Sequence, residues 1–294
     1  MTGAPPAVGL LLNGVTTEVL AAQPNAVDFV EVIPEMLWVD RGCAEPDRFG
    51  DIPVAVAQLE LLAARYPVVG HGVGLSIGSR VSTDTGHLRR VHAWLERWDV
   101  EAFSEHLGFA RVRADNGQER HVGLGFPLPC DEDVLSWLAA RVRRVMDRLE
   151  RPILLENGVR HTPIINEDMG EAEFMNRLAA STGCGMLLDL HNLYTDYRNH
   201  GWHPFDYLEQ LDPAIVRELH IAGGSVIGGA YTDSHSGRCP SDVWDLLAIA
   251  VGRFPDVERV TFEFNDSYYS GIGRDGVLDE LAHARSICDA RVAV

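Results

Sequence analysis

The sequence predicts an α/β protein folded as a closed (β/α)8 barrel, and three observations carry that prediction. Short apolar runs bounded by turn residues alternate with amphipathic stretches of helical period along the whole chain of 294 residues, and each run reads as a buried strand. Strict β/α alternation implies parallel strands joined by right-handed crossovers, and eight such units in roughly 250–300 residues match the closed barrel. Strand after strand also ends in a carboxylate or an imidazole, at the face where this fold places its active sites. A doubly wound open sheet is the competing topology. It would carry a glycine-rich phosphate loop after its first strand, and Asn13-Gly14-Val15 is not one.

The first strand runs from Val8 to Asn13, followed by a helix over Thr16 to Gln23. The second covers Ala26 to Val32, with Glu31 near its end and Glu35 beyond. A helical pattern follows over Ile52 to Tyr66, then strand Val68 to Leu75, containing His71-Gly72-Val73-Gly74. The amphipathic helix Thr85 to Trp98 precedes strand Ala102 to Gly108, which carries Ser104-Glu105-His106. Arg111 to His121 is polar and reads as a loop or small hairpin, and Asp131 caps a long helix reaching Leu149. Strand Ile153 to Asn157, helix Glu171 to Ser181 and strand Met186 to Asn192 come next, the last containing Leu187-Leu188-Asp189-Leu190-His191-Asn192. Helix Phe205 to Leu211, strand Val216 to Gly223, helix Asp242 to Phe254, strand Val260 to Asn265 and helix Gly276 to Ile287 complete the chain. There is no linker and no low-complexity tract, so residues 1–294 read as one barrel domain.

Composition narrows the function. Apolar residues make up 46 %, ample for a continuous core, and the net charge is −18. That charge excludes sequence-independent nucleic-acid binding, which needs a basic face. Five cysteines, odd in number and without a CxxC pair, read as free thiols in a reducing compartment. No secretory signal is evident, and no apolar run approaches the roughly 20 residues of a membrane helix. A cytoplasmic protein without membrane association is therefore expected.

In a barrel the strand ends converge. Glu31, His71, Glu105, His106, Glu156, Asn157, Asp189, His191, His220 and Glu263 would meet in one bowl, and Asp233 and His235 sit on the loop after the seventh strand, within reach of it. Carboxylates gathered without cations repel one another, and no Lys or Arg stands at these strand ends. A bound metal would offset the charge, and mixed imidazole and carboxylate donors suit iron, manganese or zinc. The donors exceed what one metal coordinates. Each residue alone has a plainer reading: one histidine at a strand end is usually a hydrogen-bonded structural residue, Asp189 could cap the following turn, and Asn157 and Asn192 suit turn or supporting roles. Repetition across the strands outweighs these. Ser76 and Ser104 lack a triad arrangement, and Cys130 and Cys184 lack any nucleophile signature.

The motifs His71-Gly72-Val73-Gly74-Leu75-Ser76, Ser104-Glu105-His106-Leu107, Leu154-Leu155-Glu156-Asn157, Leu187-Leu188-Asp189, Asn199-His200-Gly201, Leu219-His220-Ile221-Ala222-Gly223 and Asp233-Ser234-His235 resemble those of the multinuclear non-heme iron-dependent oxidases. These are the MbnB- and TglH-like enzymes that tailor ribosomally made peptides. The resemblance runs from about Val8 to Glu263 and implies a (β/α)8 TIM barrel of the xylose-isomerase-like kind. It implies two or three irons of mixed Fe(II)/Fe(III) state, with dioxygen as co-substrate. Carried over by residue, His71 and His106 would ligate one iron with Glu156 bridging. Asp189, His220 and Glu263 would hold a second, and Asp233 and His235 a third. Glu156, Asp189 and His220 would be the catalytic residues. One departure stands out: where the family commonly has Asp-x-Asn-Asn, this chain has Asp189-Leu190-His191-Asn192. His191 there could add a ligand, alter the third site or reshape the substrate pocket, and Asn192 is a further possible ligand.

The implied substrate is a ribosomal precursor peptide, modified at cysteine or, in some relatives, at Asp or Asn. Ferrous iron would activate O2 while a ferric neighbour holds the substrate thiolate and hydrogen is taken from the cysteine β-carbon. A small partner protein that captures the leader peptide is implied as well. The alternative is a divalent-metal sugar isomerase or phosphodiesterase on the same kind of barrel, which uses a similar donor set. A non-catalytic binding protein is the third reading, and it is disfavoured because no expected ligand position holds an inert residue.

Overall fold

Eight parallel strands close on themselves in sequence order in a computed structural model that describes residues 4–100, 102–115, 117 and 119–291. They are β1 (Ala7–Leu11), β2 (Phe29–Val32), β3 (Val68–Gly72), β4 (Phe103–His106), β5 (Ile153–Glu156), β6 (Gly185–Asp189), β7 (Val216–Ala222) and β8 (Arg259–Glu263). Each pairs in parallel with its neighbours and β8 closes onto β1. The expected barrel is therefore the observed one. The outer layer is made of α1 (Thr16–Ala22), α2 (Pro53–Ala63), α3 (Thr85–Arg97), α4 (Glu132–Leu149), α5 (Glu171–Thr182), α6 (Leu190–His200), α7 (Pro204–Gln210), α8 (Ser241–Arg253) and α9 (Tyr269–Ala290).

Two-residue periodicity explains how the strands divide their work. Apolar side chains such as Val30, Leu155, Leu188, Leu219 and Phe262 are fully buried in the core with the helices. Alternate positions on the same strands carry Glu31, Glu156, Asp189, His220 and Glu263, as a pleated strand requires. Register then brings the polar positions side by side. His71 lies opposite Ser104, His106 opposite Glu156, and Asp189 opposite His220.

Several boundaries differ from the sequence expectation by a few residues, and the polar segment after the fourth strand takes the hairpin alternative. The sixth strand stops at Asp189 and α6 starts at once, because the Asp189 side chain accepts the Asn192 N–H at 2.8 Å and caps the helix. Asn199 and His200 are the last turn of α6 rather than a loop, and Gly201 takes the left-handed φ of 76° that ends it. The polar segment after the fourth strand forms an antiparallel hairpin of Phe109–Arg113 with Glu119–Phe126. A second hairpin, Ser225–Ile227 with Ala230–Thr232, follows β7 and leads into Asp233.

Candidate metal centre

At the carboxyl ends of the strands the polar side chains meet, and their atoms are close. His71 Nε2 lies 3.1 Å from His106 Nε2 and 3.4 Å from Glu156 Oε2, which is 2.9 Å from His106 Nε2. On the other side of Glu156, His220 Nδ1 is 3.9 Å from Glu156 Oε1 and 3.1 Å from Glu263 Oε2. His235 Nε2 approaches Asp233 Oδ1 at 3.0 Å and Glu263 Oε2 at 3.7 Å. His71, His106 and Glu156 form one group able to hold a cation, Glu156, Asp189 and His220 a second, and Glu31, His71 and His220 a third. Glu156 is common to the first two.

The ring nitrogens are oriented from behind. Ser104 Oγ lies 2.8 Å from His71 Nδ1 and donates to Gly70 O, so it accepts Nδ1–H and leaves Nε2 as a lone pair facing His106 and Glu156. Glu31, wholly buried, accepts from His220 Nε2 at 3.0 and 3.1 Å, which leaves His220 Nδ1 toward Glu156 and Glu263. Asn157 accepts the Asp189 N–H at 2.9 Å and donates to its carbonyl at 3.0 Å, fixing the end of β6. A carboxylate or hydroxyl behind each ring is the arrangement that orients metal-ligating histidines.

The donor set fits a metal. Asp189 Oδ2 and Asn192 Oδ1 are buried without a hydrogen-bond partner, and Glu156 Oε2 and His220 Nδ1 meet only the His106 and Glu263 side chains of the same group. Such orphans side by side are unusual, since buried polar atoms are nearly always satisfied. Electrostatics agrees. Burial, then the charges of Glu156, Asp233 and Glu263, pushes the Asp189 carboxyl well above the usual range. Burial also opposes ionisation of Glu156, yet the imidazoles of His106 and His71 hold it below its ordinary value. A divalent cation would remove the need for either compromise.

The predicted residues do not all join this group. His71, His106, Glu156, Asp189, His220 and Glu263 converge, and Asp233 and His235 close one side, His235 in a left-handed conformation with φ of 48°. Glu105 does not point into the bowl. Strand alternation turns it away from Ser104 and His106, its carboxylate faces the Leu75 N–H at 3.4 Å, and burial followed by Glu35 pushes its carboxyl well above the usual range. His191 is wholly buried on α6, with Nδ1 2.9 Å from Asp233 Oδ1 and Nε2 3.2 Å from Tyr231 Oη, so both ring nitrogens are engaged by protein atoms. Asn192 donates to Asn157 O at 2.9 Å and keeps Oδ1 free at the cavity. Glu31 was legible as part of the bowl but not as a member of the donor set. Glu218 was missed; it lies below His220, beside Arg259 at 3.6 Å, with its carboxyl pushed up to about 8 by burial and then Glu31.

Above the centre a cavity of about 750 Å³ opens between the two hairpins. His106, Glu156, Asp233, His235 and Glu263 supply its floor, and Leu107, Phe126, Pro127, Val159 and Tyr231 line its walls.

Comparison with known proteins narrows the reading. A UPF0276 protein of Caulobacter vibrioides is 35 % identical over 238 residues, covering 81 % of this chain and 79 % of that one. A UPF0276 protein of Haemophilus influenzae is 31 % identical over 265 residues, covering 81 % of each. Among solved structures, a D-psicose 3-epimerase crystallised in the presence of D-fructose superposes with a TM-score of 0.60 at 12 % identity, covering 96 % of this chain and 99 % of that one. Endonuclease IV from Thermus thermophilus gives 0.55 at 15 % identity, covering 98 % and 99 %. Likeness at that identity establishes the xylose-isomerase-like TIM barrel and nothing further. The family pattern described as "RiPP precursor modification enzyme MbnB/TglH/ChrH" matches residues 7–289, and this chain belongs to that family.

Proposed function

We propose that this protein is a multinuclear non-heme iron oxidase that uses dioxygen to modify a residue of a ribosomally made precursor peptide, cysteine first, with Asp or Asn as the alternatives. The single observation that carries the reading is the convergence of buried imidazoles and carboxylates in interlocking His/Glu/Asp groups, with Asp189 Oδ2 and Asn192 Oδ1 unpartnered beside them, in a chain of a peptide-modifying family. His71, His106 and Glu156 would hold one iron. Asp189, His220 and Glu263 would hold a second with Glu156 bridging, and Asp233 and His235 a third. Residues 1–294 act as one catalytic domain in this reading. A separate leader-binding protein would deliver the peptide, and the free state of all five cysteines supports a reducing cytoplasmic compartment. No helix among the described residues is long and apolar enough to cross a membrane.

Iron, when bound, supplies the one-electron chemistry that dioxygen and an unactivated C–H bond require. The chain's own part is binding and orientation. Glu31 and Ser104 set which nitrogen of His220 and of His71 faces the cavity. Asn157 anchors Asp189 through its backbone. His191 serves Asp233 rather than a metal, because Asp233 Oδ1 takes its Nδ1–H and Tyr231 occupies Nε2. Leu107, Phe126, Pro127 and Val159 give the space above the ligands an apolar wall. The test is metal analysis of aerobically purified protein, where two or more irons per chain are expected. An active protein that is metal-free or holds only zinc overturns the proposal. Oxygen-independent turnover with magnesium or manganese would favour a sugar isomerase or phosphodiesterase instead.

A further inference from the structure

The cavity over the centre is chemically one-sided. Three carboxylates lie among its lining residues, and Arg198 is the sole Lys or Arg among the described ones. Several arginines of the chain are tied to acids, Arg48 to Asp84 at 2.8 Å, Arg160 to Glu167 at 2.5 Å and Arg238 to Glu280 at 3.1 Å, and others, such as Arg141 and Arg253, to backbone carbonyls. Arg198 is not. Among the described residues its hydrogen bond is from Nη1 to Tyr194 Oη at 2.8 Å, which leaves its remaining donors for something else.

The position is built. The guanidinium carbon stands 5.0 Å from the centre of the Tyr231 ring and 5.6 Å from that of Tyr194, and both tyrosines are buried. The next residue, Asn199, grips the Tyr231 backbone at both ends, accepting its N–H at 2.9 Å and donating to its carbonyl at 2.8 Å. Tyr231 in turn touches His191, which holds Asp233. One aromatic ring and one imidazole thus connect the free guanidinium to the donor set.

A planar guanidinium with open donors recognises a carboxylate in two-point fashion. An anionic group entering this cavity meets three carboxylates beside the imidazoles of its floor, and Arg198 supplies the one guanidinium among the described lining residues. The chain's overall charge of −18 does not forbid such a ligand, because charges beyond about 8–10 Å are screened at physiological salt and the nearest one decides. We propose that Arg198 binds a carboxylate of the peptide substrate close to the residue being modified, either an Asp or Glu side chain or the peptide's own α-carboxylate. This deepens the peptide-modifying reading and rests on it.

The test uses iron-loaded protein under anaerobic conditions and four short probes, with dissociation constants measured by calorimetry. Acetyl-Gly-Gly-Cys with a free α-carboxylate is compared with its carboxamide, and acetyl-Glu-Gly-Cys carboxamide with acetyl-Gln-Gly-Cys carboxamide. One carboxylate peptide should bind about tenfold more tightly than its neutral counterpart, the loss expected for one charge-assisted pair, and the pair that responds identifies the source. The advantage should vanish in Arg198→Gln and survive in part in Arg198→Lys. Equal binding within both pairs overturns the inference alone, as does an advantage that persists in Arg198→Gln. Failure of all four probes to bind the wild type overturns the peptide reading together with it.

Discussion

Two buried acidic clusters lie side by side in this barrel, and they stabilise their charges in opposite ways. Behind β5, Arg160 sits among Glu167, Glu171, Asp196 and Cys130. Its guanidinium bonds Glu167 at 2.5 Å, its N–H donates to Asp196 at 3.0 Å, and Glu167 also accepts the Cys130 N–H at 2.8 Å. The acids there are served by a cation of the chain itself, and burial raises the carboxyls of Asp196 and Glu171 to about 7. At the strand ends, Glu156, Asp189, Asp233 and Glu263 have imidazoles but no arginine, and unpartnered atoms aimed at a shared space. The first cluster is complete as built. The second pairs its acids with imidazoles and keeps buried atoms turned to a shared space, the arrangement that fits an added cation.

Removing the shared carboxylate breaks the comparison most severely. Glu156→Gln keeps the shape of the side chain but takes away the charge common to two groups. Turnover should be abolished and iron content should fall by at least one ion per chain, read by elemental analysis on folded protein. Retained activity with full iron loading would contradict the bridging assignment.

The complete cluster answers to pH instead. Burial pushes the Asp196 carboxyl up to about 7, against the contacts with Arg160 that pull it down, and burial brings Glu171 to about 7 as well. A carboxyl raised above its unfolded value favours folding below that value, near 4, and loses the contribution as pH climbs toward 7. Above pH 7 the folded state carries a buried charge that the unfolded chain would rather hold in water. Asp196→Asn keeps an acceptor for the Arg160 N–H without the charge. It should stabilise the protein by about 2–4 kcal/mol at pH 8, from roughly three pKa units at 1.36 kcal/mol each less relaxation, and by about a third of that at pH 5, where roughly one of the three units has been lost. Denaturant melts at the two pH values decide it, and a gain of equal size at both would mean that ionisation is not the cause.

Much of this was legible in the sequence, for reasons that also mark where reading stopped. The barrel strands announce themselves because apolar runs such as Leu187-Leu188 lead straight into a ligand type, and the parallel register then aligns His106 with Glu156 and Asp189 with His220. Glu105 is where that reading fails: its place at the strand end puts it in the bowl beside His106, yet a strand cannot turn adjacent side chains to one face, and Glu105 faces away toward the Leu75 N–H. The start of α6 was not readable, because Leu190, Leu193 and Tyr194 continue the apolar run of β6 and the boundary is set by one cap, Asp189 on Asn192. With the helix unrecognised, Arg198 could not be placed in the cavity wall, nor His191 beneath Asp233. Glu31 was readable as a strand-end residue of the bowl, but its hold on His220 required the three-dimensional meeting of residues 189 apart in sequence, which no local pattern encodes.

His191 offers the finest test, because it is where this chain departs from its family's usual asparagine. Its two hydrogen bonds reach Asp233 on the loop after the second hairpin and Tyr231 within that hairpin, so one buried ring ties the loop to α6. Asn199 ties the same hairpin to the other end of α6 through the Tyr231 backbone. In His191→Asn the shorter side chain can keep one of the two bonds but not both, while Asn199 keeps the hairpin docked. The donors of the first two groups, His71, His106, Glu156, Asp189 and His220, do not touch His191 and should retain their cations. The expected result is therefore selective: a 10- to 100-fold loss of affinity for the metal proposed at Asp233 and His235, the range typical for removing a supporting hydrogen bond behind a ligand, with the other sites filled. Asp233→Asn should give the same phenotype, and the double variant should be no worse than either, since both act on one carboxylate. If His191→Asn instead empties every site equally, His191 is a packing residue of the barrel rather than the support of Asp233.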